Sequence, residues 1–193
     1  MEVHYGVLDG VEVAEPRLTD GVVTLRLAQA GDRAAVAAMD EDAEIRRWVE
    51  YRLTPWEEAG NEIAYLLMMW SLRQGVLFTI LVDDELAGLI EVEFRHPRTA
   101  RVHYRVRREL RRRRLATRAL RLVSDWVIDE LGLNRVEVWA HGGNLASQGV
   151  ADRAGLRREG VLRQATGFDG SEAHDKVYFG RLANDPRPPP LKP

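Results

Sequence analysis

Residues 99–131 read TARVHYRVRRELRRRRLATRALRLVSDWVIDEL, and no other segment constrains the architecture as strongly. The first part alternates polar and apolar side chains up to Val106, as a half-buried β-strand does. The last part repeats apolar residues at helical spacing from Leu115, and Gly132 follows as a helix stop. Between them lie four consecutive arginines, Arg111–Arg114, called the arginine turn below. The pattern predicts a strand and a long helix joined by a strongly basic turn.

Periodic patterns on both sides of this segment extend the prediction along the chain. Short runs of apolar and β-branched residues indicate strands at 22–27, 76–82, 86–94, 100–106, 134–140, 157–166 and 173–182. Helical spacing and end signals indicate helices at 33–39, 41–49, 54–73, 115–131 and 144–154. Asp32 and Asn144 are the expected N-caps of two of them. The order predicts an α/β (α+β) fold, in which a mixed, mostly antiparallel central sheet of about seven strands is flanked by helices.

Length and composition are those of one ordinary domain. The chain has 193 residues, of which 45% are hydrophobic and 30% are charged. Residues 1–20 carry weak signals and are interpreted as an N-terminal lead-in, and residues 21–183 as the domain. Residues 184–193 are rich in proline, which predicts a disordered tail.

Charge and cysteine content exclude several classes of function. The formal net charge is −2, so the whole molecule has no bias toward nucleic acid or membranes. With no cysteine, the chain has no disulfide, no thiolate metal site and no acyl-thioester of its own. No apolar run is long enough to cross a membrane, and the N-terminus lacks the apolar core of a signal peptide. We therefore expect a cytoplasmic protein.

The arginine turn is the first candidate binding site. The first N–H groups of a helix have no partner within the helix, and the helix dipole places positive potential there. Guanidinium groups add planar, multi-donor ligands for phosphate. One interpretation is a diphosphate cradle. The other is a solvated basic turn, because nearly all basic residues here are arginine and the only lysines are Lys176 and Lys192.

A second candidate lies at the next strand–helix junction. Asn144 and Ser147 stand at the start of the predicted helix. Two adjacent parallel strands end on the same side of a sheet, and ligands bind in the crevice there. Both side chains would then face the same ligand as the arginine turn. The alternative is simple capping, for which asparagine is a favoured residue.

Together these segments resemble the GNAT superfamily of acetyl-CoA-dependent N-acetyltransferases, and within it the RimJ/RimL-type branch. The family's cofactor motif is Gln/Arg-x-x-Gly-x-Gly/Ala at a strand–helix junction, and residues 111–116 read RRRRLA. The family's next helix begins Asn-x-x-Ser and continues to Ala-Gly-Phe/Leu, and residues 144–156 read NLASQGVADRAGL. Similar segments at 18–26, 44–48, 157–163 and 169–178 extend the resemblance over almost the whole chain.

The resemblance implies direct transfer of an acetyl group from acetyl-CoA to a primary amine, with no metal. The implied cofactor-binding residues are Val106, Arg111, Arg112, Arg113, Arg114, Leu115, Ala116, Thr117, Asn144 and Ser147. A backbone N–H near Val106 would polarise the thioester carbonyl. The hydroxyl of Ser147 would protonate the departing thiolate.

The base that removes the amine's proton is assigned less directly. Glu91 and Glu93 share one face of the strand before the cofactor loop, and two neighbouring carboxylates predict a raised pKa for one of them. Alternatively, they are outward residues of an edge strand. On the next strand Tyr104 is family-like, whereas His103 is either a base or an ordinary strand histidine. Some members of the branch use a Glu on a later strand, but the matching position is Thr166, which cannot act as a base.

Two departures from the family motif leave other functions open. Glycines are expected where Arg112 and Arg114 stand, because a missing Cβ permits unusual backbone angles and close approach of a diphosphate. Right-handed helical angles at Arg114 would preserve the cradle. The arginines and the absent glutamate also permit a non-catalytic acyl-CoA-binding or regulatory protein. Nucleic-acid binding through residues 95–121 is a third hypothesis, which the net charge disfavours.

The acceptor site is predicted from the early helices, which wall the acceptor pocket in the family. Here they point to Trp56, Tyr65 and residues 66–70, for which core packing is the alternative. The acceptor is a protein N-terminus or a small molecule such as a polyamine or an amino-sugar. A homodimer is left open.

Overall fold

The computed structural model describes residues 15–48, 68–95, 98–166 and 173–191. Within these ranges the strands are β1 Leu18–Thr19, β2 Thr24–Leu27, β3 Gly75–Val82, β4 Glu85–Arg95, β5 Thr99–Val106, β6 Arg135–His141, β7 Arg157–Thr166 and β8 His174–Leu182. The helices are α1 Arg33–Asp40, α2 Ala43–Trp48, α3 Leu115–Asp125 and α4 Leu145–Arg153. Short 3-10 turns lie at Ala30–Asp32 and Arg108–Leu110, and a π-helical turn at Trp126–Glu130 continues α3.

The eight strands of these ranges form one sheet in the order β1-β2-β3-β4-β5-β6-β8-β7. Neighbours are antiparallel except β5 and β6, which pair in parallel from Thr99–Arg101 to Arg135–Glu137. β5 continues to Val106 and β6 to His141, but no further pair joins these two described segments. The two strands therefore part toward their carboxyl ends. This opening is called the crevice below, and α3 and α4 both begin beyond its mouth.

One face of the sheet packs on α3 and carries the main core. Alternate residues of β4, Ile90 and Val92, join Leu120 of α3 in one buried cluster. Trp126 completes it, with its ring edge-on to Phe78 at 5.5 Å between centroids. The side of the sheet on which these residues lie is the α3 face.

The opposite side of the sheet, the α1 face, is covered by α1. Val36 of α1 packs with Ala28, Leu77 and Leu89 in a second, smaller buried cluster. Because side chains alternate along a strand, the residues of β4 that follow Leu89 on this face are Glu91 and Glu93. The helices on the two faces thus divide the sheet into an apolar side and a side that carries charge.

The seven predicted strands and the mixed, mostly antiparallel sheet are confirmed. An eighth strand, β1, pairs Leu18 with Leu25 in a segment interpreted as lead-in. Gly132 has φ 65°, as expected of a helix stop. Residues 68–71 are helical, while 54–67 of that predicted helix lie outside the described residues.

Asp32 stands at the N-cap position of α1, as predicted, but its side chain makes no cap hydrogen bond to that helix in the described structure. Its carboxylate instead pairs with Arg26 at 2.8 Å and accepts the N–H of Gln29 at 2.8 Å. The pull of a neighbouring guanidinium outweighs that of the helix N-terminus, so Asp32 closes the turn before α1 rather than capping it.

Residues 184–191 of the predicted tail are described and lack helix and strand. Arg187 pairs with Asp129 at 2.6 Å, and Arg121 donates to the carbonyl of Pro189. These residues therefore lie against α3 and its π-helical turn. In the described ranges, no helix combines the length and apolar content needed to cross a bilayer.

Candidate active site

The arginine turn follows β5 at the mouth of the crevice. Its backbone is left-handed at two positions, with φ 62° at Arg112 and φ 60°, ψ 13° at Arg114. Arg114 therefore does not adopt the helical angles that the sequence left open for it. A non-glycine residue pays roughly 1–2 kcal/mol for this conformation, because its Cβ crowds the following carbonyl oxygen. The turn thus has the backbone shape that glycines favour, although the side chains are arginines.

The N-terminus of α3 carries no side-chain cap. Its N-cap residue is Arg114, whose guanidinium has no acceptor atom with which to cap an N–H, and the first turn of α3 as described holds no acidic residue. Along α3, the first backbone N–H that donates to the arginine turn is that of Arg118, which donates to the carbonyl of Arg114 at 3.0 Å. The hydroxyl of Thr117 is buried and lacks a hydrogen-bond partner among the described residues. Amide groups and one hydroxyl are therefore left for a ligand at this helix end.

The side chains of the turn differ in what they contact. Arg111 donates to the Asp42 carboxylate at 2.7 Å and to the carbonyl of Val106 at 3.2 Å. Partial burial acts to raise the pKa of Asp42, but the backbone N–H of Glu44 and the Arg111 charge lower it overall. The guanidinium of Arg111 thus ties the end of β5 to the start of α2.

The other predicted cofactor residues surround the same point. The side chains of Arg112, Arg113 and Arg114 are exposed at the crevice mouth, and Ala116 is half-buried. Leu115 is buried in the core, so only its backbone faces outward. The turn therefore presents positive charge around a cluster of backbone amides.

The second junction joins α4 to β5 across the crevice. Asn144 accepts the N–H of Ser147 at 3.0 Å, so the capping interpretation of Asn144 is confirmed. The hydroxyls of Ser147 and Tyr104 lie 3.0 Å apart, and the Tyr104 hydroxyl also lies 3.0 Å from the Ser147 carbonyl. Burial raises the pKa of Tyr104 to about 12, so this phenol keeps its proton at neutral pH. The pair is a hydroxyl relay that ends at α4.

The carboxylates of β4 lie on the α1 face. β4 pairs with both β3 and β5, so the interpretation of Glu91 and Glu93 as edge-strand residues is wrong. Glu91 stands directly across from His103, and Glu93 lies 3.5 Å from the His103 ring nitrogen. His103 lowers the pKa of Glu93 most, and Arg101 and Arg95 lower it further. The expected raised pKa is therefore wrong for Glu93, which is ionised at neutral pH.

Aromatic and basic side chains extend this face across β6 and β8. Trp139 lies between Arg101, at 3.4 Å, and Lys176, at 4.4 Å from its ring centroid. Nearby, the ring of His141 lies 4.2 Å from that of His174, at the edge of a cavity of about 400 Å³. No group of three or more potential metal ligands is assembled in the described residues.

The predicted acceptor wall is only partly visible. Trp56, Tyr65 and residues 66–67 lie outside the described residues. Trp70 packs against Trp126 at 6.4 Å, so core packing is confirmed at this position. Met68 is exposed.

Two site contacts were missed from the sequence. The pairing of Asp42 with Arg111 joins residues far apart in the chain, and only the capping position of Asp42 before α2 marks it. The contact of Glu93 with His103 depends on the register of β4 against β5. Alternation along each strand showed which residues share a face, but not which pairs meet.

The chain is similar in sequence to known proteins. A family model described as "Acetyltransferase (GNAT) domain" matches residues 23–157. The Bacillus subtilis protein described as "Putative ribosomal N-acetyltransferase YdaF" is 26% identical over 171 residues, which cover 84% of this chain and 92% of that protein.

Solved structures share the architecture. RimL, a ribosomal L7/L12 alpha-N-protein acetyltransferase in complex with coenzyme A, superposes with a TM-score of 0.80 at 18% identity, covering 86% of this chain and 98% of that one. Mycobacterium smegmatis RimJ in complex with CoA-disulfide superposes with a TM-score of 0.76 at 24% identity. The match covers 86% of this chain and 85% of that one. At these identities the similarity shows the fold.

Proposed function

This chain belongs to the GNAT family of acetyltransferases, and on that premise we propose that it acetylates a primary amine with acetyl-CoA held at the arginine turn. The proposal adds to the family assignment the residues that bind the donor and the route of the protons. The chain is an enzyme that uses an acyl-CoA. What is proposed is the position of the donor and the amine that accepts the acetyl group.

The observation that carries the proposal is the left-handed backbone of Arg112 and Arg114 in front of an uncapped helix. A diphosphate needs several N–H donors aimed at one point and a positive potential around them. The buried Thr117 hydroxyl, without a partner among the described residues, adds a further polar group beside them. These residues fit the phosphates of coenzyme A.

The remaining binding roles follow from position. The backbone amides of residues 112–117 would hold the diphosphate, and the exposed arginine side chains would add charge. The parted ends of β5 and β6 would admit the arm that carries the acyl group, with the Val106 N–H facing it. Asn144 and Ser147 stand on the opposite side of the crevice mouth. When bound, acetyl-CoA supplies the acetyl group as an activated thioester.

This chain's own groups would move the protons. The Tyr104–Ser147 hydroxyl pair is placed to deliver a proton toward the departing sulfur. Transfer would be direct, since a chain without cysteine has no thiol to carry the acetyl group. Glu91 and Glu93 stay predictions as the groups that serve the amine.

A protein N-terminus is the acceptor that the comparisons favour. YdaF is described as a putative ribosomal N-acetyltransferase, and RimL as a ribosomal L7/L12 alpha-N-protein acetyltransferase. A small amine is the alternative. Cytoplasmic location and a homodimer stay predictions.

Calorimetry with acetyl-CoA tests the donor site first. We expect saturable 1:1 binding, and no binding at millimolar acetyl-CoA would refute the proposal. Release of free thiol is then measured over a panel of peptide N-termini, polyamines and amino-sugars. Binding without thiol release across the whole panel would instead identify a non-catalytic acyl-CoA-binding protein.

A further inference from the structure

We infer that His103, held by the carboxylate of Glu93, takes the proton from the acceptor amine. This inference rests on the proposed acetyl transfer and assigns one further catalytic residue to it. Glu93 is then a positioning residue that acts through His103.

His103 lies where the crevice narrows. Pairing of β5 with β6 ends at Arg101, and His103 is the next residue of β5 on the α1 face. It precedes Val106 by three residues, about 10 Å along an extended strand. A donor whose phosphates sit at the arginine turn points its acyl end away from that turn, into the narrow end of the crevice. His103 is the one imidazole of β5 and lies two residues beyond the last β5–β6 pair.

Because Glu93 is ionised, we assign the role of base to His103 rather than to Glu93. Glu93 has a lowered pKa, so at neutral pH it is already ionised and surrounded by cations, and it is a weak proton acceptor. Its Oε1 lies 3.5 Å from Nε2 of His103, so the carboxylate holds the imidazole ring on this face. Glu91 stands across from the same ring. The His103 side chain is 42% exposed, so an amine or a bridging water can reach it.

Each cation next to His103 is paired with a carboxylate. Arg101 lies 3.0 Å from Glu137, and Arg105 lies 3.4 Å from Asp40. Arg95 pairs with Glu93 at 3.0 Å. The charges of these guanidinium groups are therefore balanced by carboxylates around His103.

Because side chains alternate along β5, the two proton transfers take place on opposite faces of the sheet. His103 faces the α1 side, and the next residue, Tyr104, faces the α3 side and contacts Ser147. His103 removes one proton from the ammonium, and the freed lone pair bonds to the acetyl carbon as its bond to sulfur breaks. The Tyr104–Ser147 pair gives one proton to the departing sulfur, and the second proton lost by the nitrogen passes through solvent to restore that hydroxyl pair. The sum is an amide, a thiol and one proton released to water.

The test compares pH profiles of kcat/KM for the amine in His103→Gln and Glu93→Gln. We expect His103→Gln to lose about 100-fold or more at pH 7, within the range for a general base. Its rate should recover as the pH rises, because free amine then forms without help. Glu93→Gln should lose about 10-fold, with its profile shifted but not abolished, as expected of a residue that only orients the ring. His103→Asn serves as a second variant with a smaller side chain.

His174→Gln is the matched control, because His174 is another histidine of the sheet, whose ring lies 4.2 Å from that of His141. It should keep the wild-type profile. The inference would be overturned if both His103 variants kept the wild-type pH profile of kcat/KM. It would also be overturned if His174→Gln, rather than the His103 variants, lost activity at neutral and acidic pH. Calorimetry separates a failure of this inference from a failure of the proposed function. His103→Gln should bind acetyl-CoA as the wild type does. Failure of the wild type to bind acetyl-CoA contradicts the proposed function itself.

Discussion

The junctions that follow β5 and β6 perform the same structural task in opposite ways. Both begin a helix at the same end of two parallel strands. The second junction passes through Gly142 and Gly143 and is capped by Asn144, which accepts the N–H of Ser147. The first has no side-chain cap, and two of its arginines adopt left-handed angles.

The difference has a cost that folding alone does not explain. A cap is worth about 1 kcal/mol, and each left-handed arginine costs roughly 1–2 kcal/mol. A junction that only had to start a helix would follow the second pattern. Backbone strain next to a helix end that has no side-chain cap in the described structure is typical of a functional site. The first junction therefore points to a ligand that binds its amides, and the second to a helix that is fixed in advance.

Filling the first helix end should have the largest effect. In Ala116→Asp a carboxylate lies beside the amides of α3, and like charges about 4 Å apart repel by roughly 4 kcal/mol near a protein surface. We expect the Kd for acetyl-CoA to rise on the order of 100-fold, measured by calorimetry. The thermal midpoint should hold or rise, because an acidic residue near a helix N-terminus stabilises it by about 0.3–1 kcal/mol.

Ala146→Asp is the matched control for this prediction. Ala146 occupies the same position in α4 as Ala116 in α3, and it is exposed. It should gain similar stability and leave acetyl-CoA affinity within a few-fold. Equal losses of affinity in the two variants would remove the distinction between the junctions.

The hydroxyl relay gives the next largest effect. Tyr104→Phe removes the phenol that contacts Ser147 and leaves the rest of the ring in place. We expect kcat to fall about 100-fold, the lower end of the range for general acid catalysis, with acetyl-CoA affinity little changed. Steady-state kinetics and calorimetry on the same preparation separate these terms. An unchanged kcat would leave the contact with only a structural role.

The two junctions also differ in how much the sequence predicts of them. The strand at 100–106, the helix from Leu115, its stop at Gly132 and the Asn144 cap all follow from local patterns, and all are confirmed. Each depends on residues within one or two turns of chain. Local chemistry therefore predicts most of the fold and one complete junction.

What the sequence did not predict depends on distant parts of the chain or on strain. Arginine favours right-handed angles, so only the family's glycine pattern hinted at φ 60° for Arg114. Periodicity placed Glu93 on a face, but the register of β5 brought His103 to it and lowered its pKa. Arg111 was expected to face phosphate, and its partner Asp42 lies across the crevice mouth in another element.

Removing the cap of the second junction tests the other half of the contrast. Asn144→Ala leaves the N–H of Ser147 without its acceptor and should cost about 1 kcal/mol of unfolding free energy. Asn144→Asp keeps an acceptor at the same atom and should retain most of the stability. Chemical denaturation measures both. A loss in both variants would show that Asn144 acts through its amide group rather than as a cap.

The smallest effect is expected from relieving strain in the first junction. Arg114→Gly accepts φ 60° without a Cβ, so we expect the free energy of unfolding to rise by about 0.5–1 kcal/mol, since glycine also loses more chain entropy on folding. Arg113→Gly is the control, because Arg113 lacks a positive φ and should gain nothing. Both variants lose one positive charge, so any weakening of acetyl-CoA binding by charge should be equal in the two. If Arg114→Gly is no more stable than Arg113→Gly, the left-handed arginine carries no strain, and the first junction is shaped by its own sequence rather than held ready for a ligand.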